Sequence, residues 1–197
     1  MGMKVGIMGG TFDPIHLGHM IAAERVQDAL GLTEVRFMPS HQPPHKSAGR
    51  GASPEQRFEM VKRAIVDHPS FVVSDDELKR GGTSYTIDTV SEIMTREPGI
   101  ELYYIIGADM VMYLPKWYRI ADLVERVTFV GVQRPGHELR LDDLPLFIRQ
   151  AVQLVTMPAI EISSTTIREL CRGGRSIRYL VPDTVHGYIK ENQLYES

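Results

Sequence analysis

Six short runs rich in β-branched and aromatic residues recur along the chain, separated by longer stretches of helical spacing, and this alternation constrains the fold more than any other feature. The runs are KVGIM (4–8), EVRFM (34–38), FVV (71–73), LYYII (102–106), VTFVGV (127–132) and QLVTM (153–157). The stretches between them predict helices over 17–30, 54–68, 86–96, 108–125 with a break at Pro115, and 143–151. The second of these has a complete start signal: Ser53 caps, Pro54 suits the first helical position, and Gln56 closes a capping box. Strands that alternate with helices pair in parallel, and the crossover helices cover both faces of the sheet. A chain of 197 residues, 43% of them hydrophobic, can fill one such core. The expectation is one α/β domain over 1–197, a doubly wound parallel sheet with helices on both faces and a small helical C-terminal part.

In a Rossmann-like sheet of this kind, ligands bind outside the carboxyl ends of the strands. The first strand ends in GGTFDPIHLGH (9–19), which is neither the G-x-G-x-x-G dinucleotide fingerprint nor a P-loop. Gly9 and Gly10 let a ligand approach the backbone, Asp13 and Pro14 shape a turn, and the next helix begins near Leu17. His16 and His19 then share its first turn, with both rings on one side. Free N–H groups and the macrodipole already attract anions there, and two imidazoles extend the site towards a polyphosphate. The bland alternative is a helix cap and a packed histidine. A second helix start, ISSTTIRELCRGG (162–174), offers Ser163, Ser164, Thr165 and Arg168, and alone it reads as an ordinary cap. The segment 39–54 is a long irregular stretch carrying Lys46 and Arg50, of the kind that is usually functional.

Composition limits the partners. A net charge of −3 gives no global basic field for nucleic acid. No run approaches the roughly 20 apolar residues of a membrane span, and Lys4 and Asp13 bracket too short an apolar stretch for a signal peptide. The single cysteine, Cys171, excludes an intramolecular disulfide and fits a reducing, cytoplasmic compartment. Assembly into a homo-oligomer is left open.

GGTFDPIHLGH resembles the H-x-G-H signature of the nucleotidyltransferase superfamily, and ISSTTIR resembles its second motif. Together with MPSHQPPHK (38–46), SYTIDT (84–89), IGADMVMYLPKW (106–117) and YLVPDTVHGYI (179–189), the wording is most similar to the bacterial-type nicotinate-nucleotide adenylyltransferases. The resemblance covers nearly the whole chain. It implies transfer of the adenylyl group of ATP to nicotinate mononucleotide, with release of pyrophosphate. It also implies that His16 and His19 are catalytic and that Gly9, Gly10, Thr11, Gly107, Asp109, Ser163, Thr165 and Arg168 join them in binding ATP. Lys46, Ser84, Thr86, Trp117 and Tyr118 would bind nicotinate mononucleotide, Trp117 by stacking on the ring and the region of Thr86 and Tyr118 through main-chain N–H groups. Taken without the family, Asp109 and Thr86 read equally well as helix caps, and Trp117 as core. Mg²⁺ would be held mainly by ATP oxygens, with Asp13 a candidate to assist and no dedicated metal site. His41 and His45 lack ligand partners at zinc spacing. Two other readings stay in view: a nucleotide-sensing module without turnover, and a hydride-transfer enzyme, which the missing glycine fingerprint disfavours.

Overall fold

The computed structural model describes residues 2–42, 51–136 and 139–196. Its centre is one six-stranded parallel sheet of order β3-β2-β1-β4-β5-β6, built from β1 (Lys4–Gly10), β2 (Glu34–Pro39), β3 (Phe71–Val73), β4 (Glu101–Gly107), β5 (Val127–Gln133) and β6 (Val152–Thr156). All six predicted runs are strands, with ends within one or two residues.

Period-two alternation divides each strand between two cores. Met8, Phe37, Ile105, Val130 and Val155 face a layer containing α1 (Leu17–Leu30), α2 (Pro54–Ala64), α8 (Ser164–Arg172) and α9 (Asp183–Glu191). Ile7, Met38, Tyr104, Ile106 and Phe129 face α4 (Thr86–Arg96), α5 (Ala108–Val111), α6 (Ile120–Val124) and α7 (Leu146–Arg149). Phe37 and Phe129 are wholly buried, one in each core. Each contributes roughly 1.5–3 kcal/mol of hydrophobic stabilisation, so the two faces hold the sheet between them.

The helices depart from expectation where local chemistry interrupts them. The stretch 108–125 is not one helix: α5 ends at Val111, a 3₁₀ turn spans Leu114–Lys116 around Pro115, and α6 restarts after Arg119, whose φ of 54° is left-handed. Residues 143–151 yield only the four-residue α7, because a 3₁₀ turn at Leu141–Asp143 and then Pro145 precede it. α2 ends at Ala64 rather than 68, with Ile65 as its last cap. A short α3 (Asp76–Arg80) went unpredicted. Among the described residues no helix is long and apolar enough to cross a membrane.

The strand order reverses between β1 and β4. Their pairing runs from Lys4 opposite Glu101 to Ile7 opposite Tyr104 and stops there, while β1 stays paired with β2 as far as Gly10. Beyond Ile7 the two strands part, and the crevice expected at a topological switch point opens at their carboxyl ends.

Candidate active site

Two adjoining cavities fill that crevice. The larger, of about 830 Å³, is bounded by His16, His19, Asp109, Arg134, Ser163 and Ser164 among others. The smaller, of about 490 Å³, is bounded by Gly10, Thr11, Ser40, Glu77, Ser84, Thr86 and Tyr118 among others, so that Gly10 and Thr11, expected from the sequence at ATP, line this cavity and not the larger one. Gly9, Tyr104, Met110 and Trp117 line both and form the wall between them. A side chain at Gly9 would collide with the Tyr104 hydroxyl, so only glycine leaves room for that hydroxyl where β1 runs on past its pairing with β4.

His16 caps α1 from an extended backbone (φ −145°, ψ 169°), and His19 is the third residue of the helix. Their rings stack with centroids 3.7 Å apart, and the His16 N–H donates to His19 Nδ1 at 3.3 Å. That bond leaves Nε2 as the protonated, donating nitrogen of a neutral His19. Phe12, with a left-handed φ of 50°, sets its ring edge-on to His19 at 5.1 Å. His16 Nδ1 is buried and has no partner among the described residues. Gly18 keeps that nitrogen uncrowded, since a Cβ there would stand 3.0 Å from it. Burial, and then the Arg134 cation, push the His16 imidazole down to about 4. Burial and then His16 hold His19 well below its ordinary range. Both rings are neutral at pH 7 in this cavity.

The second helix start lies beside the first. Ser163 caps α8 by accepting the Thr166 N–H at 3.1 Å, and Ser164 Oγ donates to the Pro14 carbonyl at 2.9 Å. Arg168 Nη1 donates to the Asp13 carbonyl at 2.7 Å, and Nη2 to Thr165 Oγ1 at 3.3 Å. Ser163 and Ser164 bound the larger cavity; Arg168 braces the turn that carries the histidines, and the exposed Thr165 touches that turn only through Arg168. Asp13 Oδ1 is committed to structure, accepting from the Ala52 N–H at 3.0 Å and the Tyr195 hydroxyl at 2.7 Å, while Oδ2 lies 4.0 Å from Arg168 Nη1.

Gly107 ends β4, and Asp109 follows in the first turn of α5, exposed at the larger cavity. Thr86 is the first residue of α4 rather than its cap, which is Tyr85. Its N–H therefore lacks an intrahelical acceptor, and its hydroxyl sits 3.5 Å from the Tyr104 hydroxyl. Ser84 Oγ accepts the His41 N–H at 3.1 Å. Trp117 stands edge-on to Tyr104 and Phe129, each 5.7 Å away, and Tyr118 packs on Tyr85 at 4.8 Å. Lys46, His45 and residues 43–50 of the irregular segment lie outside the described residues. Sequence reasoning missed Arg134, Glu77, Tyr104 and Ser40. Arg134 was findable, being the basic residue that directly follows the end of β5. Glu77 is 5% exposed, accepts from Thr89 Oγ1 at 2.9 Å, and is pushed up by burial.

A cytidylyltransferase-like family model matches residues 7–170. The nicotinate-nucleotide adenylyltransferase of Bacillus subtilis is 45% identical over 194 residues, covering 98% of this chain and 99% of that one. The chain belongs to this family. A Lactiplantibacillus plantarum protein named as a probable nicotinate-nucleotide adenylyltransferase is 49% identical over 98% of this chain and 89% of its own. The fold is also that of a Plasmodium falciparum nicotinic acid mononucleotide adenylyltransferase complexed with NaAD, with a TM-score of 0.79, 20% identity, and coverage of 98% of this chain and 97% of that one. The family model runs from within β1 to within α8, and so takes in the histidine-bearing turn and the second helix start, and the adenylyltransferase relatives cover nearly the whole chain.

Proposed function

We infer that the protein transfers the adenylyl group of ATP to nicotinate mononucleotide, forming nicotinate adenine dinucleotide and pyrophosphate, a step of NAD biosynthesis. The observation that carries this reading is the pair of cavities that share the Gly9, Tyr104, Met110 and Trp117 wall. The larger has the stacked histidines at a helix start and takes ATP; the smaller takes the mononucleotide.

The chemistry asks for little proton transfer. The mononucleotide's phosphate monoester has a second pKa near 6 and is largely a dianion at neutral pH. One of its oxygens attacks the α-phosphorus of ATP, the bond from that phosphorus to the bridging oxygen breaks, and pyrophosphate leaves with the electron pair. The task is to position two anions and to stabilise charge that grows on the leaving group. His19 Nε2–H and the His16 ring donate to oxygens of the α- and β-phosphates. Arg134 supplies a fixed positive charge beside them. Asp109 accepts from the ribose hydroxyls, and the Thr86 and Tyr118 main chain receives the nicotinate carboxylate while Trp117 stacks on the ring.

Among the described residues no three His, Cys, Asp or Glu side chains converge as a metal site. That donor set suits Mg²⁺ that arrives on ATP oxygens, where it would neutralise phosphate charge, with Asp13 Oδ2 the one carboxylate oxygen of the turn that accepts no hydrogen bond among the described residues.

Purified protein with ATP, Mg²⁺ and nicotinate mononucleotide should release pyrophosphate and form the dinucleotide, identified by mass. His19→Ala should cut turnover by roughly 10²–10³-fold, the scale of losing one preorganised donor. Tight ATP binding without pyrophosphate release would replace this reading with that of a nucleotide-sensing module.

A further inference from the structure

Arg57 is the fourth residue of α2, 4% exposed, and was no part of the sequence reading of the site. Its guanidinium donates to three main-chain carbonyls: Nη1 to Thr11 at 2.7 Å, and Nη2 to Ser40 at 2.7 Å and His41 at 3.2 Å. Thr11 follows β1, whereas Ser40 and His41 follow β2. One side chain therefore ties together the turns that leave two neighbouring strands, and Thr11 and Ser40 both line the smaller cavity.

This placement is unfavourable in itself. Burial disfavours the charged guanidinium, and a cation in the first turn of a helix meets the positive end of its macrodipole. Among the described residues no carboxylate forms an ion pair with Arg57. Asp13 acts on it only through space, since the Asp13 carboxylate holds the Ala52 N–H and the Tyr195 hydroxyl. A side chain kept for packing alone would be apolar. What an arginine offers here is a planar fork that reaches carbonyls on two strands at once, which an ammonium on a flexible stem cannot reproduce.

The clamp also connects to the opposite wall. Ser40 N–H donates to the Gly10 carbonyl at 2.9 Å, and His41 N–H donates to Ser84 Oγ, two residues before Thr86. Displacement of the Ser40–His41 backbone would move the floor of the cavity and the approach to α4 together.

We propose that Arg57 is a positioning residue for the mononucleotide substrate, holding the Thr11 and Ser40–His41 backbone in the shape that the smaller cavity needs. The proposal rests on the adenylyl-transfer reading for the identity of that substrate.

The test compares the full-length wild type with Arg57→Lys and Arg57→Gln. In both variants the KM for nicotinate mononucleotide should rise by about tenfold or more while the KM for ATP stays within about threefold, because the larger cavity is not touched. If Arg57 only stabilises the fold, the variants lose melting temperature and active fraction with both KM values unchanged, and the proposal falls. An equal rise in both KM values also overturns it. Hydrogen exchange supplies a readout that needs no substrate: the Ser40 and His41 amides should exchange faster in both variants while those of β4 do not. Should the wild type release no pyrophosphate, the adenylyl-transfer reading fails on its own, and unchanged exchange at Ser40 and His41 would then overturn the clamp separately.

Discussion

The imidazoles of His16 and His19 lie face to face, 3.7 Å between centroids and inclined by 24°, at the first turn of α1. Two cations at that separation would repel, and burial disfavours charge on either, so the pair waits for phosphate as two neutral donors.

That neutrality makes stability depend on pH. The His16 value of about 4 in the folded chain lies below its ordinary 6.5. The unfolded chain therefore binds more protons between those two values, and stability falls as pH drops through that window. From pH 7 to pH 5 the loss from His16 should approach about 2 kcal/mol, with His19 adding in the same direction. Urea midpoints at the two pH values should fall further in wild type than in His16→Asn, which puts a favoured, non-titrating N-cap residue at that position. Equal losses would mean that His16 is not held neutral.

Gly18 separates a packing role from a helix role. Alanine in an exposed helix is better than glycine by roughly 0.5–1 kcal/mol, so Gly18→Ala should leave stability unchanged or raise it slightly. Its new methyl would stand 3.0 Å from His16 Nδ1 and turn the ring away from the cavity. We expect kcat/KM for ATP to fall by about tenfold or more while Tm holds. A fully active Gly18→Ala enzyme would show that His16 Nδ1 needs no clearance.

Tyr195 reaches from the end of the chain to Asp13, and its hydroxyl bond of 2.7 Å shares one carboxylate oxygen with the Ala52 N–H. Tyr195→Phe leaves that carboxylate short of a donor, at about 1–3 kcal/mol. Because Arg168 holds the same turn through the Asp13 carbonyl, activity at low temperature should change less than stability. The denaturant midpoint and kcat at 15 °C measure the two. A large loss of kcat with an unchanged midpoint would place the Asp13 carboxylate in the reaction.

These contacts mark how far the sequence could be read. The parallel sheet followed from β-branched runs, α1 and α4 from their spacing, and α2 from its spacing and its Ser53–Gln56 capping box, since these signals are local. The histidine pair was legible for the same reason: His16 and His19 lie within one helical turn. Arg57 and Tyr195 were not, because their partners at Thr11, Ser40 and Asp13 come together only through tertiary packing. Thr165 and Arg168 carried a phosphate-binding signal from local spacing, whereas the bonds of Arg168 to the Asp13 carbonyl and to Thr165 Oγ1, which use two of its five N–H groups, appear only once α8 is set against the α1 turn. Glu77 stayed hidden because a five-residue helix such as DELKR has no periodicity long enough to predict.

Glu77 bears on the preference for the acid over the amide mononucleotide. Among the described residues Glu77 is the one acidic side chain lining the smaller cavity, tied to Thr89, whose hydroxyl also receives an Arg80 N–H at 2.6 Å. A substrate carboxylate must therefore find donors strong enough to outweigh a nearby acid. The N–H at the start of α4, on Thr86, is such a donor, reinforced by the helix dipole. N–H groups satisfy both oxygens of a carboxylate, whereas an amide turns its own NH₂ towards one of them and leaves it unpaired. That mismatch costs about 1–3 kcal/mol, so wild type should prefer the acid by roughly ten- to several-hundred-fold in kcat/KM. Trp117→Ala should weaken both substrates by removing the stacking plane, and it should also destabilise the fold by about 2–4 kcal/mol, because Tyr104 and Phe129 lose their packing partner. The acid-to-amide ratio should change little, since the donors lie on the backbone of α4 and not on the indole. Measuring kcat/KM for both mononucleotides in the two proteins, well below the mutant's Tm, separates the contributions. Equal use of acid and amide by wild type would remove the carboxylate from the Thr86 end of the cavity, and a collapsed ratio in Trp117→Ala would show that the indole aims the carboxylate as well as stacking on the ring.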